Sequence, residues 1–197
     1  EQVMTLWAGE EWSAEQARFH ELEPQQTAGG VRPLQQPHPP LAVAAFGRKG
    51  LAQAARWGLP YLASPMEPFD LIAENLEFHR GEKRNGAPVD EAVVPIMRTI
   101  FVSEDRDTLA KVYAKLEAER RPPSVKLPKA IARAAAAPFE ERVVVGNPDE
   151  VRERLARYCN ELNMNLLIGR PHIGGASQAQ QEASMRTLIE EIVPSLQ

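Results

Sequence analysis

The sequence predicts an α/β fold built from parallel β/α units, and two observations lead to this prediction. Short continuous apolar runs recur along the chain, and such runs are typical of strands that are buried on both faces of a sheet. Amphipathic stretches follow these runs, and helix-starting or helix-ending residues mark their boundaries. Strands that alternate with helices in this way pair in parallel, so we expect consecutive β/α units.

The first unit follows a proline-rich approach. Residues 31–40 carry several prolines and predict an extended segment. Residues 41–46 form an uninterrupted apolar run, which predicts a strand buried on both faces. We expect a helix over residues 51–57, closed by Gly58, because glycine is common just past the end of a helix.

The second and third units follow the same pattern. A strand is expected over residues 61–65 and an amphipathic helix over residues 68–80. One face of that helix carries Phe69, Ile72, Leu76 and His79. The third strand is expected within residues 92–102, and acidic residues then begin a helix over 104–120, where they suit the positive end of the helix dipole.

The last unit begins at a clear helix start. Asn147 is a helix N-cap and Pro148 suits the first helical position, so we interpret the segment from Val143 onward as the start of a helix that ends near Leu162. The fourth strand is expected over residues 165–169. The final helix is expected over residues 178–193.

Four β/α units fall short of a complete barrel. An eight-unit barrel usually needs about 250 residues, whereas this chain has 197. We therefore expect either half of such a barrel or a small open sheet. Residues 1–40 are expected to form a polar lead-in with the proline-rich segment, and residues 41–197 the four units. Glu1 is not an initiator methionine, so we expect either a fragment or a missing upstream segment.

Composition excludes several classes of protein. Lys and Arg total 23 against 27 Asp and Glu, a net charge of −4, so a broad basic face for nucleic acid is not expected. The single Cys159 rules out an intrachain disulfide and a multi-cysteine metal site, and no other metal-ligand spacing is present. No apolar run approaches the roughly 18 residues of a membrane span. We expect a cytoplasmic protein without a metal.

Four segments in this order carry a family resemblance. They are residues 31–41 leading into the first strand, 54–60, 145–151, and 190–196 at the chain end. Together they resemble the C-terminal half of the bacterial luciferase-like flavin monooxygenases. The resemblance implies a (β/α)8 barrel that binds reduced FMN, or a deazaflavin in one branch, at the C-terminal ends of its strands. It also implies that the first four strands of that barrel have no counterpart here.

The turn from Gly47 to Gly50 is the strongest chemical signal. It lies between a strand and a helix N-terminus, where backbone N–H groups and the helix dipole favour an anion, and Arg48 and Lys49 add positive charge. The alternative is a tight turn with solvated cations. The resemblance implies that the turn holds the flavin phosphate. By the same correspondence, Ala45 and Phe46 border the isoalloxazine ring through backbone atoms.

Arg170 and His172 follow the last strand, at the face where barrels place their chemistry. They could orient a substrate anion or transfer a proton, or His172 could simply satisfy a backbone carbonyl. The nearby pair Gly174 and Gly175 is a rival phosphate site. By contrast, we interpret His38, His79 and Cys159 as structural or inert residues.

A possible lid covers residues 120–142, a long irregular stretch with several prolines. Its cations, among them Arg121 and Lys126, could close over an anionic flavin or substrate. The alternative is a solvated linker. Ser64 and Met66, which follow the second strand, are expected to form one wall of the same pocket.

The resemblance implies an oxidoreductase in which reduced FMN and O2 oxygenate a small organic substrate, with a flavin reductase as the electron source. Two alternatives remain open. One is a deazaflavin-dependent oxidoreductase on the same scaffold, and the other is a non-catalytic half-barrel that pairs with itself or with another protein. Because half a barrel exposes strand edges and an apolar face, we expect a homo-oligomer. We also expect these residues alone to be inactive.

Overall fold

The computed structural model describes residues 7, 33–36, 38–84, 93–119 and 127–196. The chain divides into two compact units, residues 1–41 and 42–197. In the first unit the ring of Trp7 lies 6.2 Å from the ring of His38. The Nδ1 atom of His38 is hydrogen-bonded to the carbonyl oxygen of Pro39 at 2.8 Å, which agrees with a structural role for this histidine.

In the second unit, strands and helices alternate. The strands are β1 Val43–Ala44, β2 Tyr61–Leu62, β3 Pro95–Val102, β4 Val143–Gly146 and β5 Leu166–Arg170. The α-helices are α1 Arg48–Arg56, α2 Phe69–Arg84, α3 Arg106–Ala118, α4 Lys129–Ala136, α5 Pro148–Leu162 and α6 Gln178–Thr187. A 3-10 turn, Phe139–Glu141, precedes β4, and a π-turn, Leu188–Ile192, continues from α6 into a 3-10 turn, Val193–Leu196.

Every strand pair in the described part of the chain is parallel, which confirms the expected β/α architecture. β1 pairs with β2, and β3 lies between β4 and β5. A bridge between Ala63 and Ile96 joins the two groups of strands. The order β1-β2-β3-β5 therefore follows the chain, as in one half of a (β/α)8 barrel.

β4 lies along the same edge of β3 as β2. The N–H of Met97 donates to Ala63, and the N–H of Ser103 donates to Gly146. Successive N–H groups of a strand point to opposite edges, so donors six residues apart point to the same edge. β2 thus pairs with the beginning of β3 and β4 with its end, while β5 pairs along the other edge.

The core has two parts, on opposite faces of β3. Ile96 and Ile100 are buried against the helices α2 and α5, where they form the larger cluster with residues such as Ile72, Leu76, Val151 and Leu155. Phe101 points the other way, into a smaller cluster. The other buried members of that cluster are Val112, Val143, Val145 and Ile173. Alternation along β3 thus supplies both clusters, since neighbouring side chains of a strand point to opposite faces.

The first strand differs from its prediction. Only Val43 and Ala44 of residues 41–46 form a strand, and Ala44 is exposed. Because Ala44 is exposed while Val43 is half-buried, the apolar run is not buried on both faces; β1 pairs with β2 alone in the described sheet. The helix that follows starts at Arg48 rather than at 51. Gly58 follows its end with a φ of +68°, which confirms the predicted role of this glycine.

Two elements were not predicted. Val143–Gly146, which we interpreted as part of a helix start, is the strand β4, and its valines are buried because α5 packs on one face and the smaller cluster on the other. The helix begins only at Pro148, with the predicted cap at Asn147. The stretch 120–142, expected to be irregular, contains α4, whose alanines have the highest helix propensity.

The described helices include none that is long and apolar enough to cross a membrane. Within the same residues, no cluster of His, Cys, Asp and Glu side chains could hold a metal ion.

Candidate functional site

A groove of about 1010 Å³ opens at the C-terminal ends of β2 and β5, and the C-terminal edge of a parallel sheet is where α/β proteins bind their ligands. Pro65 and Met66 after β2, Thr99 of β3, and Arg170 and His172 at the end of β5 line its floor. Its other walls come from Leu116, Glu117, Glu119, Leu127, Ile131, Ala135, Phe139, Arg142 and Val143. Met66 therefore lines the same groove as Arg170 and His172, which are far from it in the sequence.

The helix α4 forms one wall of the groove. Ile131 and Ala135 are four residues apart, so they lie on one side of the helix and line the groove, together with Leu127 just before the helix. Ala134 is fully buried. Thus the stretch that the sequence marked as a possible lid carries an ordered apolar face, and Leu127 and Ile131 are site residues that sequence reasoning missed. Their spacing was the available signal.

A charge pair connects α4 to α2. The guanidinium of Arg133 donates to both carboxylate oxygens of Glu74, at 2.6 and 2.7 Å. Hydrogen bonds from Arg133, foremost, and then its positive charge lower the pKa of Glu74. The pair is solvent-exposed, so its contribution to stability is modest.

The wall after β2 is held by buried polar groups. The N–H of Ser64 donates to the carboxylate of Glu67 at 2.7 Å, and the carbonyl of Ser64 accepts from Arg98 at 2.9 Å. The N–H of Met66 donates to the Ser64 hydroxyl at 3.2 Å. Of the two predicted wall residues, Met66 lines the groove with a partly exposed side chain, whereas Ser64 is not among the residues that line it.

Glu67 belongs to a hydrogen-bond network that the sequence did not reveal. Its side chain is fully buried and accepts from the Tyr61 hydroxyl at 2.5 Å and from Asn75 Nδ2 at 2.7 Å. Burial raises the pKa of Glu67, and the same burial, together with the neighbouring carboxylate, raises that of Tyr61. These partners come from different elements, so no local motif announces them.

The N-terminus of α1 has no side-chain cap. Gly47 occupies the N-cap position, and no acidic residue lies in the first turn. The carbonyl of Gly47 accepts the first intrahelical bond, from Leu51 at 3.1 Å. A helix start of this kind presents its first N–H groups to an anion.

Glycine at position 50 allows the helix to pack against the end of β1. A Cβ added there would lie 2.9 Å from the Cβ of Ala45, closer than real Cβ atoms approach one another. A Cβ on Gly47 would lie 3.8 Å from that of Ala130, so α4 reaches from the groove to this turn. Ala45 and Phe46, which precede the turn, are both half-buried.

The two cations of the turn differ in their surroundings. The guanidinium of Arg48 lies 4.6 Å from the centre of the Phe78 ring on α2. Its charge is therefore directed toward α2. Lys49 is exposed in the same helical turn. An anion at this turn would therefore be bound by backbone N–H groups more than by Arg48.

The rival glycine pair has a structural explanation. Cβ atoms on Gly174 and Gly175 would lie 2.8 Å from the Lys115 side chain and the Lys111 carbonyl, so both glycines let the loop pack against α3. Gly175 also has a φ of +91°. The N-terminus of α6 is closed by a capping box between Ser177 and Gln180. This helix start is already satisfied internally.

Four residues named in the sequence analysis remain, namely Arg121, Lys126, His79 and Cys159. Arg121 and Lys126 lie outside the described residues. His79 is buried, with Nε2 bonded to the Leu59 carbonyl at 2.9 Å, and it does not line the groove. Burial raises the pKa of the Cys159 thiol, which agrees with an inert cysteine.

Comparison with known proteins adds to this geometry. A family model described as luciferase-like monooxygenase matches residues 1–162. The structure is similar to the monooxygenase RslO1 from Streptomyces bottropensis, with a TM-score of 0.73 and 22% identity over 99% of this chain and 59% of that one. It is also similar to apo-MsnO8, with a TM-score of 0.60 and 25% identity over 83% of this chain and 54% of that one.

A third similar structure contains a bound cofactor. It is the oxygenating constituent of 3,6-diketocamphane monooxygenase of Pseudomonas putida in complex with FMN, with a TM-score of 0.56 and 14% identity over 94% of this chain and 54% of that one. The chain spans between half and three fifths of the length of these three proteins. No curated protein sequence matches it.

Proposed function

The chain belongs to the luciferase-like monooxygenase family, and from this premise we propose that it forms the flavin-binding, C-terminal half of a monooxygenase barrel. The intact protein uses reduced FMN and O2 to oxygenate a small organic substrate. A separate flavin reductase supplies the reduced cofactor. The similar structure in complex with FMN supports this choice of flavin.

The observation that carries the proposal is the uncapped N-terminus of α1 beside the groove. The residues present fit a flavin phosphate, because Gly47 offers no competing side chain and a Cβ on Gly50 would disturb the contact between α1 and Ala45. α4 lies next to this turn at Ala130 and lines the groove through Ile131 and Ala135. A phosphate at one end and an apolar surface at the other match the two parts of FMN.

Reduced flavin, when bound, supplies the electrons that activate O2. The protein residues contribute binding, orientation and the exclusion of water. The N–H groups at the start of α1 hold the phosphate. Met66 and Ile131 provide apolar surface that excludes water, and a water-poor site strengthens the remaining polar contacts. Arg170 and His172 orient an anionic or carbonyl group of the substrate.

A titration with paired ligands tests this proposal. FMN and riboflavin share the ring, but only FMN carries the phosphate. We expect FMN to bind about tenfold more tightly, roughly 1.4 kcal/mol, and inorganic phosphate to compete with it. Replacing Gly47 by Val and Arg48 by Glu should remove this preference. Equal affinity of the unaltered chain for FMN and riboflavin would refute a phosphate site at the turn.

The same titration separates the family's two cofactor classes. A deazaflavin cofactor also carries a phosphate and would meet the same turn. Binding of a deazaflavin with FMN excluded would replace the monooxygenase proposal by a hydride-transfer oxidoreductase. If neither cofactor binds, the non-catalytic half-barrel is favoured.

A further inference from the structure

The peptide groups of Ser64 are held from both sides by buried ionisable side chains. Glu67 accepts from the Ser64 N–H at 2.7 Å, and Arg98 Nη1 donates to the Ser64 carbonyl at 2.9 Å. Both Glu67 and Arg98 are fully buried. An acid and a base thus contact the two backbone groups of one residue at the C-terminal end of β2.

Each of these side chains is itself fixed by further contacts. Arg98 donates to the Tyr158 hydroxyl at 2.9 Å and lies 4.9 Å from the centre of that ring. Glu67 accepts from Tyr61 and from Asn75. The acid is thereby anchored to β2 and α2, and the base to β3 and α5. The Ser64 position is then determined by four elements of the fold rather than by its own loop.

Such an arrangement is costly for stability alone. Buried ionisable groups must give up hydration, and only well-placed hydrogen bonds and charges compensate for this loss. Arg98 Nη2 even remains without a hydrogen-bond partner within the described part of the chain, although it is buried. What these buried groups do provide is a fixed position for the segment after β2, through their hydrogen bonds to the Ser64 backbone. That wall lines the groove through Pro65 and Met66.

We infer that Glu67 and Arg98 are positioning residues, which fix the Ser64–Met66 segment as the rigid wall against which a planar ring binds. This inference rests on the proposed flavin function for the identity of the ring. Neither residue lines the groove itself. Both act through the Ser64 backbone, so their loss affects the ring and leaves the phosphate turn at Gly47 unaltered.

Hydrogen exchange and paired titrations test this inference in the full chain. In Glu67→Gln, an NH2 group replaces one carboxylate oxygen, and this group cannot accept the hydrogen bond from the Ser64 N–H. We expect the Ser64 amide to exchange about tenfold faster while the amide of Phe101 in β3 is unchanged. Riboflavin affinity should fall about tenfold while the affinity for inorganic phosphate stays the same. Glu77→Gln, the same exchange at an exposed position on α2, is the control and should alter neither value.

The possible outcomes are distinct. Unchanged Ser64 exchange, or faster exchange with unchanged riboflavin affinity, would overturn the positioning role. A parallel loss of riboflavin and phosphate binding would indicate general damage and would also overturn it. If the unaltered chain binds no flavin, the proposed function fails. The exchange rate of the Ser64 amide then still shows whether Glu67 and Arg98 fix the Ser64–Met66 segment.

A second variant covers the risk that the single change prevents folding. The double variant Glu67→Gln with Arg98→Met removes both buried ionisable groups, so neither charge has to be desolvated on folding. We expect it to fold and to show the same rapid Ser64 exchange. A double variant that retains slow Ser64 exchange would contradict the inference.

Discussion

Arg133 on α4 and Glu74 on α2 form a two-point charge pair, with N–O distances of 2.6 and 2.7 Å. The pair joins the helix that lines the groove to a helix of the main core. Arg48, at the start of α1, adds a weaker electrostatic influence on Glu74. The charges of Arg133 on α4 and of Arg48 on α1 thus both favour the ionised form of Glu74.

Breaking this pair should loosen α4. Arg133 lowers the pKa of Glu74, so the stabilisation is present above the unfolded pKa of about 4.3 and is lost as the pH falls through the lowered folded value. In Glu74→Gln at neutral pH we expect limited proteolysis within α4 to accelerate about threefold, as befits an exposed pair. Glu77→Gln is the matched control. Equal cleavage in both variants would show that α4 is held by its apolar contacts alone.

Glu67 should give the protein the opposite pH dependence. Burial raises its pKa, so its favourable contribution is complete below the unfolded pKa and is lost as the pH rises through the higher folded value. The free energy of unfolding in urea is measured for the unaltered chain and for Glu67→Gln from pH 4 to pH 8, about the range over which a Glu with a raised pKa titrates. Relative to the variant, the unaltered chain should lose stability as the pH rises. If the difference in unfolding free energy between the two proteins did not change with pH, Glu67 would have the same pKa in the folded and unfolded states.

Two helical glycines should respond differently to the same substitution. Gly50→Ala places a Cβ 2.9 Å from Ala45, so we expect a loss of about 1–3 kcal/mol in unfolding free energy and weaker FMN binding. Gly81→Ala meets nothing within 4 Å and should stabilise α2 by about 0.5–1 kcal/mol. Equilibrium unfolding in urea measures both. Equal effects of the two changes would mean that the contact between α1 and Ala45 does not constrain position 50.

The chain should associate through the face of its sheet that carries Leu166. Leu166 is 44% exposed, whereas Leu167, on the opposite face, packs against the core. Light scattering at micromolar concentration should therefore show a dimer or larger species, and Leu166→Lys should shift it toward the monomer. Ile189→Lys, at an exposed apolar residue on another face, is the comparison. A cooperatively folded monomer of the unaltered chain would favour an independent open sheet.

These 197 residues should not oxygenate a substrate by themselves. The described groove is lined by Pro65 and Met66 and by Arg170 and His172, which in the proposed function would form one side of a ring-binding site. Oxygenation needs a closed, water-poor pocket, so reduced flavin should pass its electrons to O2 and yield hydrogen peroxide. The assay combines the chain with FMN, a flavin reductase and candidate aldehydes or sulfonates. Oxygenated product above the enzyme-free control would contradict this expectation.

The sequence predicted the elements whose signals are local. Asn147 caps α5 and Gly58 follows α1, because caps and left-handed glycines depend on neighbouring residues. β4 was missed because burial of Val143–Gly146 depends on partners distant in the chain. The Glu67 network was missed for the same reason, since its partners converge only in the fold. Met66, Arg170 and His172 were predicted singly from strand ends, and the fold brings them together.

The arrangement of strands around β3 determines where another polypeptide could add strands to this sheet. β2 and β4 share one edge of β3 and β5 takes the other, so no new strand can be inserted at the centre of the sheet. In the described part of the chain, β1, β4 and β5 each pair along one edge only. A complementing polypeptide would therefore have to pair at one of these three strands.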